Sequence, residues 1–174
     1  MKVNLPTALT LSRIILIPFF VLTAPDRPFL GAMIFGLASI TDFLDGYLAR
    51  KTGQITKFGI ILDPIADKFL VISALILLVD MARLSAWIAI VIIVREFLVT
   101  GLRAVALSKD IVIQAEMGGK LKTFSQITAI LCLIISMNVF GIDLYDVGII
   151  FMWVALLLSI VSGVQYTISF WKKI

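Results

Sequence analysis

Histidine is absent from the 174 residues, which removes His-based nucleophile activation and His-ligated zinc from the possible chemistries. A single cysteine, Cys132, allows neither an intrachain disulfide nor a cysteine-cluster metal site. It reads as a small apolar helix residue. Charge is also scarce: Asp, Glu, Lys and Arg make up 15% of the chain while apolar residues make up 61%. Soluble domains carry about 25% and about 45–50% respectively, so too little polar surface remains to coat a water-exposed sphere. The same apolar excess excludes a disordered chain. No N-terminal stretch combines a short apolar core with a small-residue cleavage site, so no removable signal peptide is expected. Low-complexity segments and internal repeats are lacking as well.

What is present is a series of apolar runs separated by turn signals. Six spans are expected near Thr7–Ala24, Phe29–Ala49, Phe58–Val79, Ser85–Leu107, Leu121–Phe140 and Val147–Phe170. At about 20 residues per crossing, six spans take roughly 120 residues and leave only short connections. The expected fold is therefore an all-α integral membrane protein, one domain over residues 1–174, with six transmembrane helices and a short N-terminal interfacial segment. Of the 15 basic residues, 13 fall in or lean toward alternate connections and the termini, and only Arg27 and Arg83 fall on the other side. The positive-inside rule then puts both termini in the cytoplasm. The net charge of +4 accordingly reads as juxtamembrane anchoring against anionic lipid. No nucleic-acid partner is expected.

The last two spans are free of charge and read as structural. The second, third and fourth hold Asp42, Asp45, Asp63, Asp67, Lys68, Arg95, Glu96 and Arg103. A charge in a membrane core costs about 2.5–3.5 kcal/mol on insertion scales, and spanning a bilayer requires none. Function is expected where these residues lie. Asp42 and Asp45 are i,i+3 and share a helix face with Gly46 and Ala49, while Gly59, Asp63 and Asp67 repeat at i,i+4,i+8. Counted from Arg50 and Lys57 at about 1.5 Å per residue, the four acids lie roughly 7–15 Å inside the cytoplasmic ends of two antiparallel neighbours.

Four such carboxylates cannot all stay ionised without countercharge. All-oxygen donors select hard cations such as Mg²⁺, Mn²⁺ or Ca²⁺, and two ions about 3.5–4 Å apart would serve a displacement at phosphorus. A salt-bridge network with Lys68, Arg95 and Arg103, or a cation-transport site, are the other uses these acids allow. Transport predicts charge along a path between both faces, and the outer halves of the spans lack it.

The full pattern Asp42-x2-Asp45-Gly46-x2-Ala49-Arg50-x8-Gly59-x3-Asp63-x3-Asp67 resembles the signature of the CDP-alcohol phosphotransferase family at every position. Helix periodicity does not explain spacing kept across the x8 connection. The resemblance implies a six-helix membrane enzyme, a homodimer, with its active site on the cytoplasmic side of the bacterial cytoplasmic membrane. It implies transfer of a phosphatidyl or similar group from a CDP-linked donor to an alcohol with release of CMP, using Mg²⁺ or Mn²⁺, two ions. Residue by residue, it makes Asp42, Asp45, Asp63 and Asp67 metal ligands and Asp67 also the general base. Gly46, Ala49, Arg50 and Gly59 would receive the CDP moiety together with Asp42 and Asp45.

Asn4-Leu5-Pro6-Thr7 with Thr10-x2-Arg13, Arg95-Glu96-Phe97 with Gly101-Leu102-Arg103, and Gly119-Lys120-x-Lys122-Thr123 are similar to the bacterial branch of the family that uses CDP-diacylglycerol and sn-glycerol 3-phosphate. A phosphorylated acceptor needs a cationic pocket, for which Arg95, Arg103, Lys120 and Lys122 are the candidates. Glu96 would neutralise one of these cations. Asn4 and Thr7 are candidates for the nucleotide or for capping the first helix. Trp87, Trp153, Trp171, Tyr145 and Tyr166 read as interface belt or packing. Other alcohols, such as inositol phosphate, serine or phosphatidylglycerol, remain alternatives for the acceptor.

Overall fold

The computed structural model describes residues 5–52, 57–108 and 118–172, with side chains described for 12–41, 68–106, 108 and 121–172. Among the described residues there are six helices and one two-residue β ribbon. The helices are α1 (Leu5–Thr23), α2 (Pro28–Thr52), α3 (Lys57–Asp80), α4 (Ala86–Ser108), α5 (Gly118–Ile135) and α6 (Leu144–Trp171). Pro28 opens α2, where its fixed φ suits a first helical position and its missing N–H leaves no gap. Asp143 caps α6 by accepting the Tyr145 backbone N–H at 2.8 Å.

Helix α6 is the one described helix that is both long and apolar enough to cross a membrane as a whole. Ser12–Thr23, Pro28–Thr41 and Leu121–Ile135 are shorter apolar stretches. Large apolar side chains are exposed along α1, α2, α4 and α6, among them Phe19, Leu22, Met33, Ile90, Phe97, Ile150 and Leu157. Hydroxyls within the helices bond back to carbonyls of the preceding turn, as Ser39 does to Phe35 (2.8 Å) and Thr100 to Glu96 (2.7 Å). That local bond satisfies a polar group where no outside partner is at hand.

The fifth helix is shorter than its expected span. Residues Leu121–Phe140 read as one apolar run, but α5 stops at Ile135 and the chain turns into an antiparallel ribbon pairing Asn138 with Asp143 and Val139 with Ile142. Phe140 and Gly141 have φ of 51° and 83°. Positive φ at both central residues is the two-residue hairpin turn that matches strand twist. The expected break at Gly141–Asp146 is therefore displaced toward the N-terminus. The remaining boundaries lie within a few residues of expectation.

The helices pack α5 against α6 most extensively, α1 against α2 and α3, α4 against α6, and α2 against α5. The core that results contains Phe20, Phe35, Leu75, Leu78, Ile92, Ile130, Leu133 and Met152, all essentially inaccessible. These residues cluster where α1, α3 and α5 end and α2, α4 and α6 begin. The opposite half of the bundle holds the charges that stand within the helices, Lys68, Arg95, Glu96 and Lys122 among them.

Candidate active site

The charged half is organised around Glu96, on α4. Its Oε2 accepts from Lys68 Nζ of α3 at 2.7 Å, and its Oε1 accepts from Arg95 Nη1 at 3.0 Å and from Lys122 Nζ of α5. One carboxylate thus ties three helices together. The Lys68, Arg95, Glu96 and Lys122 side chains are 18%, 16%, 13% and 7% exposed, so this network lies in the body of the fold. Among the described residues three cations share this one carboxylate, and Lys68 and Lys122 make further interactions besides. Beside it a recess opens between α3, α4 and α5, lined by Lys68, Glu96, Lys122, Thr123 and Gln126 and walled by Val71, Ile72, Leu75 and Ile93.

Arg95 and Arg103 were expected to border one cavity, and the structure turns both toward α6. Arg95 Nε donates to the Ser159 carbonyl at 2.9 Å, and Nη2 donates to Ser162 Oγ at 2.6 Å. With Nη1 on Glu96, every nitrogen of its guanidinium is engaged. Gly163 makes room for the stem, since a Cβ there would meet Arg95 Cγ at 3.2 Å. Arg95 therefore clamps α4 to α6, and its fork is already occupied within the protein. Arg103 is exposed and stands over the Tyr166 ring, 5.8 Å from its centroid. Lys122 is 5% exposed and committed to Glu96.

Ser159, Ser162 and Tyr166 lie on a helix that sequence reasoning took as purely structural. Their signal was present: Ser159-x2-Ser162-Gly163 is a small, polar interruption of an apolar helix, the kind of segment that lets another helix's polar group approach. Lys68 and Gln126 were also absent from the expected site. The sequence offers Lys68 only as part of a salt-bridge network, and Gln126 falls one turn beyond Lys122.

The motif itself runs through two regular helices. Asp42, Asp45, Gly46, Ala49 and Arg50 lie in α2, and Gly59, Asp63 and Asp67 lie in α3. Helical backbone through both halves makes the i,i+3 and i,i+4 spacings shared faces. The side chains of these residues, and those of Thr7 in α1 and Lys120 in α5, lie outside the described ones, as does Asn4 altogether. Among the described residues no group of three His, Cys, Asp or Glu side chains gathers to hold a metal. As a donor set, four carboxylates carried on two consecutive helices fit a hard divalent cation.

The family described as CDP-alcohol phosphatidyltransferase matches residues 3–161. Three curated relatives share one printed name, CDP-diacylglycerol–glycerol-3-phosphate 3-phosphatidyltransferase. The Bacillus subtilis protein is 41% identical, over 98% of this chain and 97% of its own. The Rickettsia bellii protein is 42% identical, over 94% and 93%. The Haemophilus influenzae protein is 41% identical, over 95% and 92%.

Proposed function

The chain belongs to the CDP-alcohol phosphatidyltransferase family, and from that premise we propose that it transfers the phosphatidyl group of CDP-diacylglycerol to sn-glycerol 3-phosphate. The products are phosphatidylglycerol phosphate and CMP. The observation that carries this reading is the motif unbroken on two consecutive helices, in a chain whose full-length relatives share the name of that activity. That shared name also favours transfer over cation transport and over other acceptor alcohols.

Asp42, Asp45, Asp63 and Asp67 hold divalent cations, two Mg²⁺ or Mn²⁺ ions. When bound, these ions supply countercharge to the donor's pyrophosphate and withdraw electron density from its phosphorus. Gly46, Ala49 and Gly59 keep the helix surfaces low where the nucleotide lies, and Arg50 meets its phosphate. Asn4 and Thr7 flank the nucleotide from the N-terminal segment. Asp67 takes the proton of the acceptor's primary hydroxyl as that oxygen attacks phosphorus. The new P–O bond replaces the one to CMP, which leaves. Arg103, Lys120 and Lys122 provide positive charge for the acceptor's phosphate, and Arg95 adds charge while holding α4 on α6.

The protein acts as a single domain in the bacterial cytoplasmic membrane, as a homodimer, with six spans, both termini cytoplasmic and the site facing the cytoplasm. The apolar side chains exposed on α1, α2, α4 and α6 support a lipid-facing surface. The test is purified protein with CDP-diacylglycerol and a panel of alcohols, scored by CMP release. Release that depends on glycerol 3-phosphate is expected, abolished by EDTA and restored by Mg²⁺ or Mn²⁺. Release with another alcohol alone rejects the acceptor, and full turnover after exhaustive chelation rejects the metal.

A further inference from the structure

Tyr166 is 9% exposed, and its buried hydroxyl has no hydrogen-bond partner. A buried tyrosine oxygen ordinarily finds one, so this side chain is not held in place by its polar end. What it offers instead is the face of its ring. The guanidinium carbon of the exposed Arg103 lies 5.8 Å from the ring centroid, within the distance at which the negative face of an aromatic ring attracts a cation.

The packing of α4 on α6 explains how the pair meets. Arg95 bonds to Ser159 and Ser162. Two turns further along α4, Arg103 reaches Tyr166, two turns beyond Ser159 on α6. Ser159, Ser162, Gly163 and Tyr166 fall at i, i+3, i+4 and i+7 and so share one face of α6. The Arg95 clamp thus sets the register in which the buried ring comes under the exposed guanidinium. A long arginine side chain in water samples many rotamers and loses that freedom when it binds an anion. A guanidinium already resting on a fixed ring has less to lose.

We propose that Tyr166 is a positioning residue for the acceptor: its ring holds the Arg103 guanidinium where it meets the phosphate of the phosphorylated alcohol. The assignment rests on the phosphatidyl-transfer reading above, in which Arg103 serves that phosphate. The hydroxyl of Tyr166 takes no part. Because the donor lipid is held by the α2–α3 motif, the effect falls on the acceptor.

The experiment is a double-substitution cycle on the full-length protein, with Tyr166→Leu, Arg103→Ala and the two combined. CDP-diacylglycerol and glycerol 3-phosphate are varied independently and CMP release is followed. Tyr166→Leu is expected to raise the acceptor KM by roughly 2- to 5-fold, the worth of one exposed cation–π contact, with the donor KM unchanged. Added to Arg103→Ala, it should raise the acceptor KM no further, a result that a packing role does not produce. Tyr166→Phe, which keeps the ring, should restore the wild-type acceptor KM, and its melting temperature should hold or rise because an unmet buried hydroxyl is gone. A fluorinated phenylalanine at position 166 keeps the ring's shape while draining its face of negative charge. It should raise the acceptor KM above that of Tyr166→Phe, and it carries the test if the Leu variant does not fold. An acceptor KM unmoved by loss or fluorination of the ring overturns the proposal. So does an effect of Tyr166→Leu that persists without Arg103, an equal rise in both KM values, or a Phe variant as impaired as the Leu one. If the wild type ignores glycerol 3-phosphate and turns over another alcohol, the functional reading fails, and the same cycle on that alcohol decides whether Tyr166 positions Arg103.

Discussion

The two halves of the helix bundle are held together by different forces. In one, where α1, α3 and α5 end, packing is carbon on carbon: Phe20 against Phe35 with centroids 5.6 Å apart and Trp87 against Trp153 at 5.4 Å. Of the charged residues at its rim, Arg83 sits in the turn between α3 and α4 and donates to the Leu133 and Ile134 carbonyls at the end of α5. A cation there complements the helix dipole and satisfies carbonyls that have no intrahelical partner. In the other half the charges stand within the helices, and one carboxylate joins α3, α4 and α5. A buried ion cluster adds little net stability over an apolar replacement, yet removing one member is costly. Such a cluster is weak evidence for stabilisation and stronger evidence for a polar task. Stability and chemistry are thus separated along the bundle, and substitutions at the two ends should fail in different ways.

The largest difference is expected at Asp67. As the general base, its replacement in Asp67→Asn should lower kcat by roughly 10²–10⁴ while donor binding and melting temperature stay near wild type. Normal turnover removes Asp67 from the mechanism. Loss of donor binding would show that its ligand role dominates.

Next comes Glu96. Glu96→Ala leaves Lys68, Arg95 and Lys122 facing one another without their shared carboxylate. Breaking a fully buried pair costs about 3–5 kcal/mol, and at 13% side-chain exposure Glu96 belongs toward the lower end. Thermal unfolding in detergent should show the loss, and Glu96→Gln should recover part of it. A Glu96→Ala protein as stable as wild type would mean that the network does not hold the three helices.

Arg95 and Arg103 sharpen the contrast within the charged half. The guanidinium of Arg95 is spent on Ser159, Ser162 and Glu96, so Arg95→Ala should destabilise by about 1.5–3 kcal/mol, the range for charged hydrogen bonds. Arg103 is exposed, so Arg103→Ala should leave stability within about 0.5 kcal/mol and act on the acceptor. Its glycerol 3-phosphate KM should rise roughly 10- to 150-fold, more than that for the lipid donor. If the two variants exchange phenotypes, the assignment of clamp and ligand is reversed.

That distinction marks the limit of what the sequence makes legible. Helix positions follow from runs of apolar residues, because a long apolar segment buries its backbone polar groups only as a helix. The motif is legible for a different reason, since its spacing survives a connection that periodicity does not cross. The stop of α5 at Ile135 was hidden: Ser136, Met137 and Val139 are as compatible with a span as with a ribbon, and the turn at Phe140 and Gly141 decides. Periodicity likewise placed Arg95 and Arg103 near one another on α4, but which helix they face depends on tertiary packing. The engagement of Arg95 by α6 required Ser159, Ser162 and Gly163 to be brought opposite it, a contact 64 residues away in the chain. Tyr166 shows the same limit, because its place under Arg103 is a property of two helices together.

The smallest expected effect returns to the apolar half and tests whether it is purely a packing device. Gly31 lies in the first turn of α2, where the chain reverses from α1 through Arg27 N–H to Thr23 C=O (2.8 Å) and Gly31 N–H to Arg27 C=O (3.0 Å). A Cβ on Gly31 would sit 2.3 Å from Ala24 Cβ and 2.6 Å from Ala24 Cα. The second of these is backbone at the end of α1, so no rotamer change relieves the clash and the two helix ends must part. Overpacking of this kind costs about 1–3 kcal/mol. Gly36 on the same helix is the control: its added Cβ would meet only Leu131 Cδ2, at 3.9 Å, an ordinary contact. There the higher helix propensity of alanine should instead stabilise by about 0.5–1 kcal/mol. Gly31→Ala should therefore lower the melting temperature and Gly36→Ala should hold or raise it, with the acceptor and donor KM of both unchanged at temperatures where they are folded. A change in acceptor KM from Gly31→Ala would show that the apolar end is coupled to the site, and that stability and chemistry are not separated along the bundle.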